Sequence, residues 1–257
     1  MGDPIIVVSR RLGRSNLHVS PVAFGAFKIG RNTRIKYPSG YDLPDQQAVD
    51  LLLGGVLDLG INYFDTAPAY GLSEERLGRA LAGRRDEIVV STKVGETFQD
   101  GRSTYDFSVR AMRQSVERSL RLLRRETIDL LLIHSDDDQR VLHQTDAVPT
   151  LLAVREKGDA RAIGLSAKTI DGAREAMAWS DVLMVEYHLD DRSQAEVIAE
   201  AAEADVGIVV KKGLASGHLD PDPAIQFVLG TRGVGSLVVG SLTLEHLEQN
   251  VGVAARM

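Results

Sequence analysis

Eight short runs rich in Val, Ile and Leu divide the 257 residues of this chain, and each is followed by a loop and a longer segment with apolar residues three or four apart. That alternation predicts an α/β fold, a (β/α)8 TIM barrel with an N-terminal β-hairpin, because a doubly wound sheet seldom uses eight such units in so short a chain. Two further observations agree. Most of the runs are near-continuously apolar rather than alternating, as parallel strands covered on both faces are. No linker, composition shift or low-complexity tract interrupts them, so residues 1–257 read as a single barrel domain.

The elements follow in order. Arg11-Leu-Gly-Arg-Ser-Asn-Leu-His18 gives two short extended pieces around a Gly-Arg-Ser-Asn turn, the predicted hairpin. The strands are Val22–Gly25, Tyr63–Asp65, Ile88–Lys93, Ile128–His134, Ala160–Ser166, Val182–Tyr187, Gly207–Lys211 and Ser236–Gly240. The helices are Asp45–Leu59, Ser73–Leu81, Ser108–Leu123, Val148–Glu156, Ile170–Met177, Ser193–Ala204, Pro223–Leu229 and Thr243–Ala255. Ser73 and Thr243 are expected to cap their helices through their hydroxyls.

Composition narrows the function classes. The chain has no cysteine, which excludes disulfides and thiolate chemistry and makes the cytoplasm the expected location. Its formal net charge is −6, so there is no general attraction for nucleic acid. The densest basic runs, Arg10 to Arg14 and Arg118 to Arg125, are interrupted by Leu and read as solvated faces. No apolar run approaches a membrane span, and no targeting or lipidation signal is visible at Met1 to Ile6.

In a parallel barrel the strand C-termini share one face, and chemistry gathers there. Strand two ends in Asp65 and leads to Tyr70; strand three ends in Lys93 and strand four in His134. A phenol is a poor acid near neutrality, but an adjacent ammonium favours the phenolate, so Lys93 is expected to lower the pKa of Tyr70. Asp65 would keep a desolvated lysine charged and oriented. His134 could donate a hydrogen bond to a substrate oxygen. Such a set fits proton donation to a carbonyl that receives a hydride, and a hydride requires a nicotinamide cofactor.

Asp65-Thr-Ala-Pro-Ala-Tyr70-Gly with Ser73-Glu-Glu-Arg-Leu-Gly, then Ser91-Thr-Lys93 and Leu131-Leu-Ile-His134, resembles the aldo-keto reductase superfamily. The resemblance extends through Gly164-Leu-Ser166, Val185-Glu-Tyr187, Leu214-Ala-Ser216-Gly, Gly240-Ser241 and Glu248-Gln-Asn250. It implies a catalytic tetrad of Asp65, Tyr70, Lys93 and His134, with Tyr70 as general acid/base. It further implies an NADPH site, NAD being possible, at Gly25, Ser166, Lys211, Leu214, Ser216, Gly217, Gly240, Ser241, Thr243, Gln249 and Asn250. The substrate would be a small carbonyl compound or a sugar, and no metal is implied. Where the family usually has Asn, Gln and an aromatic against the nicotinamide, this chain has Ala167, Met184 and Lys211; His246 stands where an Arg often meets the 2′-phosphate.

Other readings compete. Gly25-Ala-Phe-Lys-Ile-Gly30-Arg-Asn lacks the Lys and Ser/Thr of a phosphate-binding loop, and no Gly-x-Gly-x-x-Gly follows a strand. The acidic groups Asp136 to Asp138, Asp190-Asp191 and Asp220 with Asp222 are expected to complement helix N-termini rather than to bind metal. Asp65, His134, Glu186 and His188 could instead serve a metal-dependent barrel hydrolase or isomerase. A dinucleotide-binding redox sensor without turnover is a third possibility. Chains of this family often continue past the eighth helix to wall off the substrate pocket, whereas here Met257 follows Thr243–Ala255 closely. Arg31–Pro44 is therefore the expected wall, with Tyr37 and Tyr41 as substrate contacts.

Overall fold

The N-terminal hairpin is short: β1 (Arg10–Arg11) pairs antiparallel with β2 (His18–Val19) in the computed structural model, which describes residues 7–84 and 87–257. The expectation about Met1 to Ile6 lies outside the described residues. Leu12, Leu17 and Val19 project from the hairpin region into the barrel's inner core beside Tyr63, Leu130 and Leu132. In the basic run that flanks them Arg11 and Arg14 are exposed, as a solvated face requires, but the run also makes specific contacts. Arg10 donates to the carbonyls of Leu229 and Val234, and Arg14 donates to those of Met177 and Ser180. These arginines tie the hairpin to backbone carbonyls elsewhere in the barrel. Arg118, Arg121 and Arg124 do face solvent.

Eight parallel strands form the closed barrel. They are β3 (Val22–Gly25), β4 (Tyr63–Asp65), β5 (Val89–Val94), β8 (Ile128–His134), β9 (Ala160–Ser166), β10 (Val182–Glu186), β11 (Gly207–Lys211) and β12 (Val234–Val239), with β12 pairing back onto β3. Every strand except β3 and β4 has five or more residues, and nearly all are buried, as strands with a filled interior and a helical coat must be. Closure places all strand C-termini at one mouth.

The coat follows the sequence pattern. On α1 (Gln46–Asp58), Val49, Leu52, Leu53 and Val56 are buried at helical spacing, and Asp45 caps the helix by accepting from the Ala48 N–H at 2.8 Å. Ser108 likewise caps α3 (Val109–Leu123). The remaining helices are α2 (Ser73–Ala80), α5 (Ala147–Lys157), α6 (Ile170–Ala176), α7 (Ala195–Glu203), α8 (Pro221–Gly230) and α9 (Leu244–Ala255). Two expected caps are corrected. Ser73 is itself helical, and its hydroxyl donates to the Ala26 carbonyl and bonds to Thr66, so it ties the loops after β3 and β4 together. Thr243 makes no side-chain cap; Ser241 Oγ accepts from the Thr243 N–H instead.

Two elements go beyond the eight expected units. A hairpin of β6 (Glu96–Gln99) and β7 (Arg102–Tyr105) rises from the end of β5, and a short α4 (Asp138–His143) follows β8. The hairpin turns at Asp100-Gly101, with φ of 52° and 77°, which is the left-handed pair that a tight two-residue turn requires. Asp137 and Asp220 cap α4 and α8, so part of the acidic pattern complements helix N-termini as expected.

Tight helix packing is testable at glycine. A Cβ on Gly78 of α2 would lie 2.0 Å from the Leu122 carbonyl of α3, whereas one on Gly54 of α1 would meet nothing within 4 Å. Gly78→Ala is expected to cost ~1–3 kcal/mol as an overpacked contact. Gly54→Ala should stabilise by ~0.5–1 kcal/mol through helix propensity. Urea denaturation of both variants checks this; a neutral Gly78→Ala contradicts the packing.

Candidate active site

Each reactive side chain is carried to the mouth by the end of a strand. Asp65 closes β4, Lys93 lies one residue from the end of β5, and His134 closes β8. Tyr70 ends a single helical turn, Pro68–Tyr70. Its backbone is held by two glycines: a Cβ on Gly30 would fall 2.1 Å from the Tyr70 carbonyl, and Gly71 turns the chain at φ +64° directly after it.

Asp65 and Lys93 form the centre of the site. Lys93 is 1% exposed and Asp65 3%, and Nζ donates to both Asp65 carboxylate oxygens and to the Thr66 carbonyl, each at 2.8 Å. Ser91 donates to Asp65 Oδ1 at 2.7 Å and accepts from the Tyr63 hydroxyl at 3.0 Å, so a hydrogen-bonded chain supports the carboxylate from inside the barrel. Burial pulls the Lys93 ammonium down, but Asp65 and Tyr70 outweigh it and hold its pKa above the ordinary lysine value. The lysine stays charged.

Its ammonium lies 4.9 Å from the centre of the Tyr70 ring. Burial pushes the Tyr70 hydroxyl up from the ordinary phenol value, Lys93 pulls it back, and Asp65 and Glu96 push it up again. The net direction is upward, which corrects the expected lowering: desolvation outweighs the ammonium. Tyr70 therefore holds its proton at neutral pH, as a proton donor must. Phe27 packs edge-on against it at 5.1 Å between centroids, and His134 at 6.2 Å.

The hairpin after β5 adds a residue that motif reading missed. Glu96 Oε2 lies 2.8 Å from His134 Nδ1, and Glu96 Oε1 accepts from Ser103 Oγ at 2.6 Å. Burial pushes the Glu96 carboxyl up, but His134, Ser103 and Tyr105 prevail and bring it to about 2. His134 is shifted below the ordinary imidazole value by burial, with Glu96 opposing and Lys93 and Lys211 adding to the shift. The sequence did carry a signal for this hairpin: Asp-Gly between the strand-forming pieces Thr97-Phe98 and Ser103-Thr104-Tyr105.

A cavity of about 510 Å³ joins these residues to much of the implied dinucleotide site. Asp65, Tyr70, Lys93 and His134 line it together with Gly25, Ser166, Lys211, Leu214, Ser216, Gly217, Gly240 and Tyr37. Lys211 bridges Ser166 Oγ and the Ala167 carbonyl at 2.9 Å each, and burial with the neighbouring Lys168 and Lys212 brings its ammonium down to about 7. The wall carries eight Lys and Arg side chains against three carboxylates, in a chain whose net charge is −6. Asp65 is paired with Lys93 and Glu186 with Lys212, while Glu96 contacts His134, so cationic charge remains in excess. Ser241, Thr243, Gln249 and Asn250 lie outside this lining: Ser241 and Asn250 are buried, Thr243 and Gln249 exposed. Tyr41 also stands outside, donating to the Arg31 carbonyl and packing edge-on against Tyr37 behind the wall.

The four residues of the metal reading are not arranged as a ligand set, although Asp65, His134 and Glu186 line the same cavity. Asp65 is held by Lys93, Glu186 by Lys212 and His134 by Glu96, and His188 approaches Glu186 only to 4.0 Å. Among the described residues no group of three or more His, Asp or Glu side chains is arranged to hold a metal ion. An expectation for the ion pair follows from its burial. Lys93→Met leaves Asp65 as a carboxylate without its cation, and such a break costs ~3–5 kcal/mol. Thermal and urea unfolding measure it; an unchanged midpoint contradicts the pairing.

Comparison with known proteins agrees with this geometry. The Aldo/keto reductase family model matches residues 21–223. D-threo-aldose 1-dehydrogenase of a Pseudomonas species is 30% identical, over 94% of this chain and 91% of that one. L-galactose dehydrogenase of Arabidopsis thaliana is 26% identical, over 96% and 88%. Among solved structures, a Pseudomonas aeruginosa protein assigned to the aldo-keto reductases is 43% identical with a TM-score of 0.91, over 99% of this chain and 96% of that one. The holo form of an aldo-keto reductase from Bacillus halodurans is 26% identical with a TM-score of 0.85, over 97% and 91%. With its barrel, its strand-end residues and a family match over most of its length, the chain belongs to the aldo/keto reductase family.

Proposed function

We propose that the protein is an oxidoreductase that interconverts a small carbonyl compound, or a sugar, with the corresponding alcohol, using a nicotinamide dinucleotide and no metal. The observation that supports this reading is that Tyr70, the buried Asp65–Lys93 pair and His134 line one cationic cavity together. The cavity suits a dinucleotide. Its excess of cations complements a pyrophosphate. At Gly240 a Cβ would stand 3.3 Å from both the Gly25 carbonyl and the Tyr37 hydroxyl, so a bare backbone keeps that wall open. Gly25, Ser166, Lys211, Leu214, Ser216, Gly217 and Gly240 would hold the cofactor, which when bound supplies the hydride.

The chain's own residues then do the acid–base work. Tyr70 gives its proton to the carbonyl oxygen in reduction and recovers it in oxidation. Lys93 steadies the phenolate left behind, and Asp65 keeps the lysine charged and in place. Phe27 and Tyr37, whose rings lie 6.1 Å apart, form an apolar wall that continues from Tyr70, with Tyr41 supporting it from behind. That wall would meet the substrate's carbon skeleton. NADPH is the proposed cofactor over NADH, with Ser241, Thr243 and His246 around the start of α9 nearest the extra phosphate. No helix among the described residues is long and apolar enough to cross a membrane, and a cytoplasmic setting fits a chain without cysteine.

Tyr70→Phe should keep the fold and NADPH binding and lose ~10²–10⁴ in turnover, because it removes the donor and leaves the ring. Stopped-flow single turnover checks the loss. Retention of more than about a tenth of the wild-type rate contradicts the role of Tyr70. Binding of NADPH with no turnover of any carbonyl by the wild type would favour a sensor instead. For cofactor choice, calorimetric titration should give tighter binding of NADPH than NADH, with the margin narrowed in His246→Ala; equal affinities in the wild type remove the proposed phosphate site.

A further inference from the structure

Glu96 has no part in the chemistry described so far, yet it is 8% exposed and its carboxylate touches a ring that faces the cavity. It is an anion throughout the working pH range, since its carboxyl is held at about 2. An anionic carboxylate only accepts hydrogen bonds. Placed 2.8 Å from His134 Nδ1, it repels a lone pair there and attracts an N–H. The ring N–H does not point squarely at the oxygen, and no other partner among the described residues reaches this buried nitrogen, so Glu96 alone decides its protonation. Among the described residues none hydrogen-bonds Nε2, which is not sealed off; it is the nitrogen left for a ligand.

We infer that Glu96 is a positioning residue that fixes the His134 proton on Nδ1, so that Nε2 offers a lone pair to the cavity when the ring is neutral and an N–H only when it is imidazolium. On this arrangement the hydrogen bond expected from His134 to a substrate carbonyl oxygen is donated only in the imidazolium state. A carbonyl oxygen needs a donor, and therefore the imidazolium. An alcohol hydroxyl can donate to the neutral ring's Nε2. The two protonation states of one histidine thus suit the two directions of one reaction, while Tyr70 performs the proton transfer in both.

The groups facing the ring set where the change occurs. Glu96 on β6 favours the imidazolium, with Ser103 and Tyr105 of β7 holding its carboxylate in place. Lys93 on β5 and Lys211 on β11 disfavour it, as does burial, and the Tyr70 ring meets the imidazole edge-on. Removing the Glu96 charge removes the leading influence that raises the proton affinity of the ring.

Nitrogen NMR of ring-labelled histidine, with the His134 signal assigned by its loss in His134→Gln, tests the proposal directly. On the alkaline side the wild type should show a protonated Nδ1 and a bare Nε2. In Glu96→Gln the titration midpoint should move to more acidic pH, about tenfold or more in proton affinity for loss of an adjacent opposite charge. The tautomer with the proton on Nε2 should also gain population. A proton on Nε2 in the neutral wild-type ring, or an unmoved midpoint in the variant, overturns the proposal. The wild-type spectrum decides the first point even if the variant fails to fold. A second arm rests on the oxidoreductase reading: kcat/KM for reduction should fall, and for oxidation rise, through the midpoint seen by NMR, and both limbs should move acidward in Glu96→Gln. Absence of all turnover would count against that reading alone, whereas turnover whose pH profile ignores Glu96 counts against the inference.

Discussion

A lysine ammonium buried to 1% exposure in the mouth of a barrel is tolerable only because a carboxylate and a backbone carbonyl receive it. An isolated charge in that place would lose its proton or unfold its surroundings. The surrounding structure serves this one pairing. Asp65 reaches it because β4 ends there, beside β5, which brings Lys93, and Ser91 and Tyr63 fix the carboxylate from below. Once the pair is in place, Tyr70 lies against a permanent positive charge and can give up a proton without leaving an unsupported phenolate.

A second influence works against the first. Desolvation at the mouth raises the Tyr70 hydroxyl while Lys93 lowers it, and desolvation prevails. The same desolvation brings Lys211 down to about 7 where no carboxylate among the described residues contacts it, although Lys93, the more deeply buried of the two, remains charged. The contrast lies in partners rather than depth: Lys93 holds Asp65, whereas Lys211 holds a hydroxyl and a carbonyl and faces Lys168 and Lys212. Proximity of a cation is thus not enough to predict an acid's strength; the degree of dehydration decides the sign.

The barrel was legible because its strands are apolar on both faces, and a filled interior under a helical coat leaves no other pattern available. Three of the four proposed catalytic residues could be placed from strand ends alone, since Asp65, Lys93 and His134 occupy the last two residues of their strands. Glu96 escaped because it sits in a hairpin that interrupts the strand–helix rhythm, and its partner His134 is far off in sequence. Ser73 was misread for a similar reason: a hydroxyl at a helix start suggests a cap, but a nearby carbonyl after β3 competes for it. The exposure of Arg11 and Arg14 in the N-terminal run was legible, but charge type does not reveal that backbone carbonyls distant in sequence lie within reach of Arg10 and Arg14.

The central claim is that Asp65 and Lys93 act as one unit, and a double-mutant cycle on folding stability tests it most directly. Asp65→Asn and Lys93→Met each leave a buried charge behind, whereas the double variant leaves none. The account predicts that the double variant is more stable than the sum of the single losses allows, by at least ~1–3 kcal/mol of coupling. Losses that simply add would show that the two side chains, though 2.8 Å apart, do not depend on one another.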